Sequence, residues 1–362
     1  MNCIHPGKAK ELVVRLVEIQ SVTKREDAAC EYLAEAVEQF GWKDARRDGA
    51  GNVIASRGSG EREIVLMGHI DTVPGGPSCR VEGDVLWGRG AVDAKGPLAT
   101  FVAAGGAAEI PSGWKLTLIA AVGEEGDSKG ALHVIPLYKP AACVIGEPSG
   151  ADGITIGYRG YLRIRVSARD SGAHRSGDAG PVTACLLAAS DMLREAERRD
   201  DPSKPVIERP FGAVIAMRGE EEGERSGLVD MDVRLPVGAL PGTWAREFMD
   251  IGERRGVKAE LVSTMPAHIV KKDDPLVRVL RVAVREAGLT PRLLAKGGTA
   301  DFNIASAWNC PMAAYGPGDA KLDHTAEERL DLNEYLLAVR ILKNALESFC
   351  VHNTRGNDLN GK

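Results

Sequence analysis

The chain has 362 residues, 44% of them hydrophobic, 27% charged and 5% aromatic, with a formal net charge of −5. This length exceeds that of one ordinary domain, about 100–200 residues, and therefore predicts two domains. The negative charge and the few aromatic residues argue against a nucleic-acid-binding protein and a polybasic membrane-binding protein. We therefore expect no contact with nucleic acid or with a membrane. In addition, no apolar run approaches the length of a membrane span.

The seven cysteines are scattered along the chain, and no two of them form a CxxC pair. This spacing predicts neither a disulfide framework nor a zinc site made of thiolates. We therefore expect a cytoplasmic protein, since thiols stay reduced in that compartment.

The first third of the chain alternates between helical and strand patterns. Apolar residues recur with a helical period over residues 12–17 and 28–37, and Gly41 is placed to end the second helix. A third helix is predicted over Pro97–Ile110. Short apolar runs predict buried strands at Asn52–Ser56, Ile64–Met67, Leu116–Val122 and Ala142–Ile145. Strands separated by helices indicate an α/β sheet.

The pattern changes near Tyr158. From Leu162 to Ser167 apolar and polar residues alternate, as in a strand with one exposed face. The elements that follow are a helix, two strands, a helix and a strand, predicted at Pro181–Arg199, Val214–Met217, Leu228–Leu235, Thr243–Arg255 and Lys258–Thr264. The order β-α-β-β-α-β is typical of a ferredoxin-like unit.

The first pattern returns after Pro266. Asp274 and Pro275 are suited to the N-cap and first turn of a helix that runs to Ala287. A short apolar run at Pro311–Tyr315 and a final helix at Leu332–Phe349 follow. The simplest architecture is an α/β domain built from residues 1–158 and 267–362, with an α+β domain inserted at residues 159–266.

Acidic and imidazole side chains follow several of the predicted strands. Each has an ordinary interpretation when taken alone, such as a helix cap or a solvent-exposed loop residue. Their positions nevertheless meet at the carboxyl ends of the strands, where α/β sheets bind ligands. Two histidines and several carboxylates suit zinc or a similar divalent ion. The candidates are His69, Asp71, Asp93, Glu124, Glu125, Glu147 and His324.

Other catalytic signatures are absent from the sequence. It contains no HExxH zincin motif, no GxSxG nucleophile elbow and no P-loop. The string Gly88-Arg89-Gly90 is followed by Asp93 where a dinucleotide-binding fold requires glycine. The cluster therefore belongs to none of these other catalytic motifs.

Five ordered motifs resemble the M20 metallopeptidase and deacylase family. They are Gly68-His69-Ile70-Asp71-Thr72-Val73-Pro74, Gly88–Gly96, Gly123-Glu124-Glu125-Gly126, Gly146-Glu147-Pro148-Ser149 and Asp323-His324-Thr325. Within the family, Asp93–Leu98 and Gly316–Asp319 look most like the hydrolases that release lysine, or ornithine, from a small acidic amino-group carrier protein. That activity belongs to amino-acid biosynthesis, of lysine or of arginine.

The resemblance implies a zinc-peptidase-like catalytic domain with a mixed sheet and an inserted dimerisation domain. It also implies two divalent ions per chain, zinc or alternatively cobalt. Asp93 would bridge the ions, His69 and Glu147 would bind one, and Glu125 and His324 the other. Asp71 would support His69, and Glu124 would be the general base.

The resemblance further implies a homodimer and several substrate contacts. His174 matches a histidine that the inserted domain places in the partner's site. Arg234 matches a position that binds the substrate carboxylate, although a surface arginine at a strand end has the same pattern. Gly298 and Thr299 lie in a glycine loop on the substrate side, which departs from the family at Ala300, where many relatives have serine.

Other functions compatible with the sequence are a deacylase for free N-acyl amino acids and a dipeptidase. N-acetyl-lysine, N-acetylornithine and succinyl-diaminopimelate are the free substrates considered. A metal-binding regulatory module without catalysis is an alternative of another class, but the presence of Glu124 argues against it. Paired basic residues are placed to steer an acidic carrier protein, unless they are ordinary solvated charges. These pairs are Arg46-Arg47, Arg198-Arg199, Arg254-Arg255 and Lys271-Lys272.

Overall fold

A computed structural model describes residues 5–172 and 177–355 of the chain. The chain divides into two compact units. The first comprises the chain up to Ile156, Val270–Leu294 and the chain from Ile304 onward. The second comprises Gly157–Ile269 and Ala295–Asn303.

The described residues form helices and strands in an order close to the predicted one. The α-helices are α1 Pro6–Glu18, α2 Asp27–Ala36, α3 Lys95–Ala107, α4 Lys129–Val134, α5 Gly180–Arg198, α6 Pro241–Arg254, α7 Pro275–Glu286, α8 Asp301–Ala305 and α9 Leu332–Arg355. The strands are β1 Lys43–Arg47, β2 Val53–Gly58, β3 Arg62–His69, β4 Arg80–Glu82, β5 Val85–Trp87, β6 Trp114–Ala121, β7 Ala142–Gly146, β8 Gly153–Tyr158, β9 Gly160–Asp170, β10 Phe211–Glu220, β11 Arg225–Leu235, β12 Lys258–Met265, β13 His268–Ile269, β14 Arg292–Lys296, β15 Met312–Ala314 and β16 Arg329–Asp331.

The first unit is built on a mixed sheet with the order β1-β2-β6-β3-β7-β15-β8. Its four neighbouring strands β6, β3, β7 and β15 are parallel to one another. The flanking strands β2 and β8 run antiparallel to β6 and β15. The carboxyl ends of four adjacent strands therefore lie along one edge of the sheet.

Helix α3 is the most buried helix of this unit, with all thirteen residues enclosed. It packs against β3 and β6 and against α1 and α9. Small residues allow this close packing, since a side chain at Gly105 would place its Cβ 2.4 Å from the ring of Trp42. The Trp42 indole also donates a hydrogen bond to the Val102 carbonyl, at 2.9 Å. Trp42 thereby fixes the second half of α3 within the core of this unit.

The second unit contains the predicted β-α-β-β-α-β order. Its antiparallel sheet has the order β10-β11-β9-β12, which is the ferredoxin-like arrangement. Buried and half-buried positions alternate along β11, and helices α5 and α6 pack against the sheet. The exposed face carries cross-strand ion pairs such as Arg165 with Asp230 at 2.7 Å. The predicted fold class is confirmed for both units.

Several elements differ from the sequence-based expectation. The buried strand β8 was not predicted, because Gly153 and Gly157 interrupt its apolar pattern. The short strands β1, β4, β5, β13, β14 and β16 were not predicted either, and each has at most three consecutive apolar residues.

Residues 295–303 belong to the second unit, whereas the predicted boundary placed them with the first. The Asn303 amide accounts for this by donating to the carbonyls of Pro266, at 2.9 Å, and Arg159, at 3.3 Å. Within the described ranges, none of the helices combines the length and apolar character that crossing a bilayer requires.

Candidate metal centre

The carboxyl ends of the parallel strands bring together the side chains predicted to bind metal. His69 is the last residue of β3, Glu125 lies in the turn after β6, and Glu147 directly follows β7. His324 lies in the loop that follows β15. Because β6, β3, β7 and β15 are adjacent, four separate loops converge at one edge of the sheet.

Asp93 lies at the centre of this group, two residues before α3. Its Oδ1 is 3.3 Å from Nε2 of His69, and its Oδ2 is 3.0 Å from Nε2 of His324. The same His324 nitrogen lies 2.8 Å from Oε1 of Glu125. On the other side, Oε1 of Glu147 is 3.9 Å from Nε2 of His69. The two oxygens of one carboxylate thus face two separate histidine–glutamate pairs.

Burial distinguishes the two sides of the cluster. The side chain of His69 is 2% exposed, whereas that of His324 is 50% exposed. Asp93 and Glu125 are nearly buried, at 11% and 10%. Solvent therefore reaches the cluster from the His324 side.

Asp71 organises the turn that carries both acidic residues after β6. Its Oδ1 accepts from the backbone N–H of Glu124 at 3.0 Å, and its Oδ2 accepts from that of Glu125 at 3.1 Å. The hydroxyl of Thr23 donates to the same Oδ2 at 2.9 Å. Nδ1 of His69 lies 3.0 Å from the Asp71 carbonyl oxygen and 3.6 Å from its carboxylate. The predicted support of His69 is accordingly shared between the backbone and the side chain of Asp71.

The electrostatics of the cluster favour positive charge. Burial opposes a charged His69, but hydrogen bonds with Asp71 and Asp93 and the nearby Glu124 carboxylate raise its pKa well above the usual value. Hydrogen bonds with Asp93 and Glu125 raise the pKa of His324 to about 10. For Asp93 the penalty of burial is outweighed by the two histidines, which hold its pKa well below the usual value.

The donor set fits a divalent metal ion. His69, Asp93 and Glu125 each offer a ligand atom, and these atoms lie within 4.8 Å of one another. Two imidazole nitrogens with several carboxylate oxygens suit zinc and related transition metals better than calcium or magnesium, which prefer oxygen alone. The clustered carboxylates need compensating charge, and Asp93 has both imidazoles within 3.3 Å in this structure.

Sequence reasoning missed two residues that shape the Asp93 loop. Glu328 is completely buried, and its Oε1 accepts from the backbone N–H of Asp93 at 3.1 Å. Its Oε2 pairs with Nη1 of Arg89 at 2.5 Å. In the sequence Glu328 cannot be distinguished from the adjacent Glu327, which is exposed. Only the fold distinguishes the two.

The candidate substrate residues Arg234, Gly298 and Thr299 lie in the second unit. Nε of Arg234 pairs with Asp232 at 3.0 Å, and its Nη1 donates to the Thr299 hydroxyl at 3.2 Å. That hydroxyl in turn donates to the Arg159 carbonyl at 2.8 Å. A Cβ at Gly298 would meet no atom within 4 Å, so this turn is open. His174 lies outside the described residues.

The sequence of this chain is similar to those of several hydrolases. It is 39% identical to the LysW-lysine hydrolase of Deinococcus radiodurans, over 93% of this chain and 96% of that relative. It is 29% identical to the LysW-lysine/LysW-ornithine hydrolase of Saccharolobus islandicus, over 94% of this chain and 95% of that relative.

Solved structures have the same fold. A metallo-carboxypeptidase of the M20 family from Sulfolobus solfataricus has a TM-score of 0.79 at 15% identity, over 95% of this chain and 99% of that one. Residues 65–348 match the family described as Peptidase family M20/M25/M40. The match spans most of the chain and includes every residue of the cluster around Asp93. The chain therefore belongs to peptidase family M20/M25/M40.

Proposed function

We propose that this protein is a dinuclear metal-dependent amide hydrolase that releases lysine, or ornithine, from an acidic carrier protein. The observation that carries the proposal is the position of Asp93 between two histidine–glutamate pairs. A carboxylate with one oxygen on each side is suited to bridging two ions. The choice of substrate is supported by the names of the relatives from Deinococcus radiodurans and Saccharolobus islandicus.

His69 and Glu147 would hold one ion, Glu125 and His324 the other, and Asp93 both. Zinc is the expected metal, with cobalt as the alternative, because imidazole and carboxylate ligands accept either. When bound, a pair of such ions acidifies a water molecule and polarises the scissile carbonyl group.

Glu124 is assigned as the general base. Asp71 fixes its backbone N–H at 3.0 Å, so the carboxylate is carried on a held turn next to the ligand Glu125. Glu124 accepts a proton from the attacking water and then donates it to the leaving amine. The charge of Glu124 raises the pKa of His69, which supports this assignment.

Recognition of an acidic carrier protein would use basic residues that are not already paired. The basic residues of the four pairs differ in whether they have a carboxylate partner. Ion pairs with neighbouring carboxylates are formed by Arg47, Arg198, Arg199 and Arg255. Arg46, Arg254, Lys271 and Lys272 have no carboxylate partner within 4 Å among the residues described. The second group is better suited to steering an acidic partner.

The second unit is assigned to homodimer formation. Strand β10 lies at the edge of its sheet and exposes apolar side chains, with Phe211 61%, Ile215 55% and Met217 56% exposed. A long apolar edge strand is prone to pair with another chain. A second copy of this chain is the proposed partner. The cytoplasmic location and the role of His174 in the partner's site remain predictions.

A small-molecule deacylase or a dipeptidase would use the same metal centre, so substrate comparison decides between them. The full-length protein, loaded with zinc, is incubated with the lysine conjugate of the carrier protein, N-acetyl-lysine, succinyl-diaminopimelate and dipeptides. We expect the highest kcat/KM for the carrier conjugate and loss of activity after chelation. A preference for a free N-acyl amino acid would reject the carrier substrate. Tight zinc binding without hydrolysis of any of them would favour a regulatory module.

A further inference from the structure

Two residues from distant parts of the sequence connect the loop of Asp93 with the loop of His324. Arg89 precedes Asp93 by four positions, and Glu328 follows His324 by four. Glu328 has no solvent exposure, and the side chain of Arg89 is 13% exposed. A buried charge pair is costly unless further hydrogen bonds satisfy both partners. The contacts of this pair show where those hydrogen bonds go.

The carboxylate of Glu328 is surrounded by the backbone of the Asp93 loop. Its Oε1 accepts from the N–H groups of Gly90 at 2.9 Å, Val92 at 3.0 Å and Asp93 at 3.1 Å. These three N–H groups converge because Gly90 has a φ of 86°, in the left-handed region. Burial raises the pKa of Glu328, and the N–H groups and Arg89 oppose that rise.

The guanidinium of Arg89 extends the connection to the His324 loop. Nη1 pairs with Oε2 of Glu328 at 2.5 Å, and Nη2 donates to the carbonyl of Thr325 at 3.3 Å. Thr325 is the residue after His324. Nε donates to the carbonyl of Gly75 at 3.1 Å, so every guanidinium nitrogen has a partner.

The small sheet β16-β5-β4 holds the pair in register. Leu330 in β16 lies opposite Leu86 in β5, and the N–H of Gly88 donates to the carbonyl of Glu328 at 3.3 Å. His69 and Glu147, by contrast, are placed by β3 and β7 of the main sheet. The two sides of the metal centre therefore have different mechanical support.

We infer that Arg89 and Glu328 are positioning residues that hold Asp93 and His324 at the distance required to bind one metal ion together. We name this pair the Arg89–Glu328 clamp. This inference rests on the proposed dinuclear centre. It goes further in assigning to the loops of Asp93 and His324 a support that His69 and Glu147 do not use.

The test is a titration of the metal-free, full-length protein with Co²⁺, followed by its visible absorption spectrum. The variants are Arg89→Lys, which keeps the charge but cannot reach three partners, and Glu328→Gln, which places an amide N–H against Arg89. Glu327→Gln is the matched control, because Glu327 is exposed. Outer partners of metal ligands typically contribute about 10–100-fold to affinity.

We expect both clamp variants to weaken the binding of one Co²⁺ by about 10–100-fold and that of the other by a smaller factor, because the second ion shares Asp93 but keeps His69 and Glu147. The spectrum of the weakened ion should change, and the control should match the wild type. Equal Co²⁺ affinities and spectra in all four proteins would overturn the clamp. Wild-type protein that binds fewer than two ions would instead contradict the dinuclear centre. Thermal unfolding of each metal-free variant shows whether it is folded. If Glu328→Gln is unfolded, Arg89→Lys alone provides the test.

Discussion

Asp93 and His324 are 231 positions apart in the chain, yet Oδ2 of the first lies 3.0 Å from Nε2 of the second. The other oxygen of Asp93 faces His69, so its carboxylate is shared between two imidazoles. In the metal-free protein both imidazoles have raised pKa values, that of His324 about 10. Metal ions and protons therefore compete for the same nitrogens.

The first prediction concerns the pH dependence of metal binding. Both histidines have raised pKa values in the metal-free protein, so zinc must compete with protons for their ring nitrogens. Affinity should consequently rise as the pH increases from 6 to 8. Calorimetry in two buffers of different ionisation enthalpy measures the protons released. An affinity that is constant over this range would contradict the proposed ligands.

The second prediction separates the two adjacent acids of the β6 turn. Glu124→Gln keeps the size of the side chain but removes its ability to accept a proton, so kcat should fall by about 10²–10⁴-fold. Zinc content should stay at the wild-type level. Glu125→Gln is the matched comparison, and we expect it to lower zinc content, since Glu125 contacts His324. Full turnover in Glu124→Gln would show that another group is the base.

The sequence predicts the residues of this site that lie at strand ends but not those that support its loops. His69, Glu125 and Glu147 each follow a strand that has a continuous apolar run, so the sheet edge at which they meet was predictable. The importance of Glu328 was not, because its burial depends on pairing between β16 and β5. Strand β8 was missed for a related reason, since its glycines weaken the apolar signal. Local pattern thus locates the candidate ligands at strand ends but not the loop residues that hold them.

The third prediction concerns the stability contributed by Asp71. Its carboxylate accepts from two backbone N–H groups and from Thr23. Asp71→Asn turns one oxygen into a donor that faces another donor, which should lower the free energy of unfolding by about 1–3 kcal/mol. Thr23→Val removes a single hydrogen bond and should cost less. Denaturant unfolding of the metal-free proteins compares them, and equal losses would mean that the N–H contacts contribute little.

The fourth prediction concerns the dimer. Ile215 and Met217 are exposed in β10, so their replacement by lysine should not unfold the monomer. If this edge joins two copies, Ile215→Lys and Met217→Lys should shift the protein from dimer to monomer in sedimentation experiments. Leu240→Lys is the control, because Leu240 is 70% exposed in the same unit but lies outside β10. A dimer that persists in both edge variants would require a different interface.

The last prediction concerns the encounter with the carrier protein. Lys271 and Lys272 are exposed, whereas Arg255 is already paired with Asp191 at 2.6 Å. Electrostatic steering raises the association rate of oppositely charged proteins and weakens as salt increases. Replacement of both lysines by glutamate should therefore lower kcat/KM for the carrier–lysine conjugate at low salt and leave N-acetyl-lysine nearly unaffected. Arg255→Ala should have a smaller effect, because its charge is compensated within the protein. Raising the salt concentration should reduce the difference in kcat/KM between the double glutamate variant and the wild type. If the two remain equally active on the conjugate at low salt, these lysines do not guide the carrier.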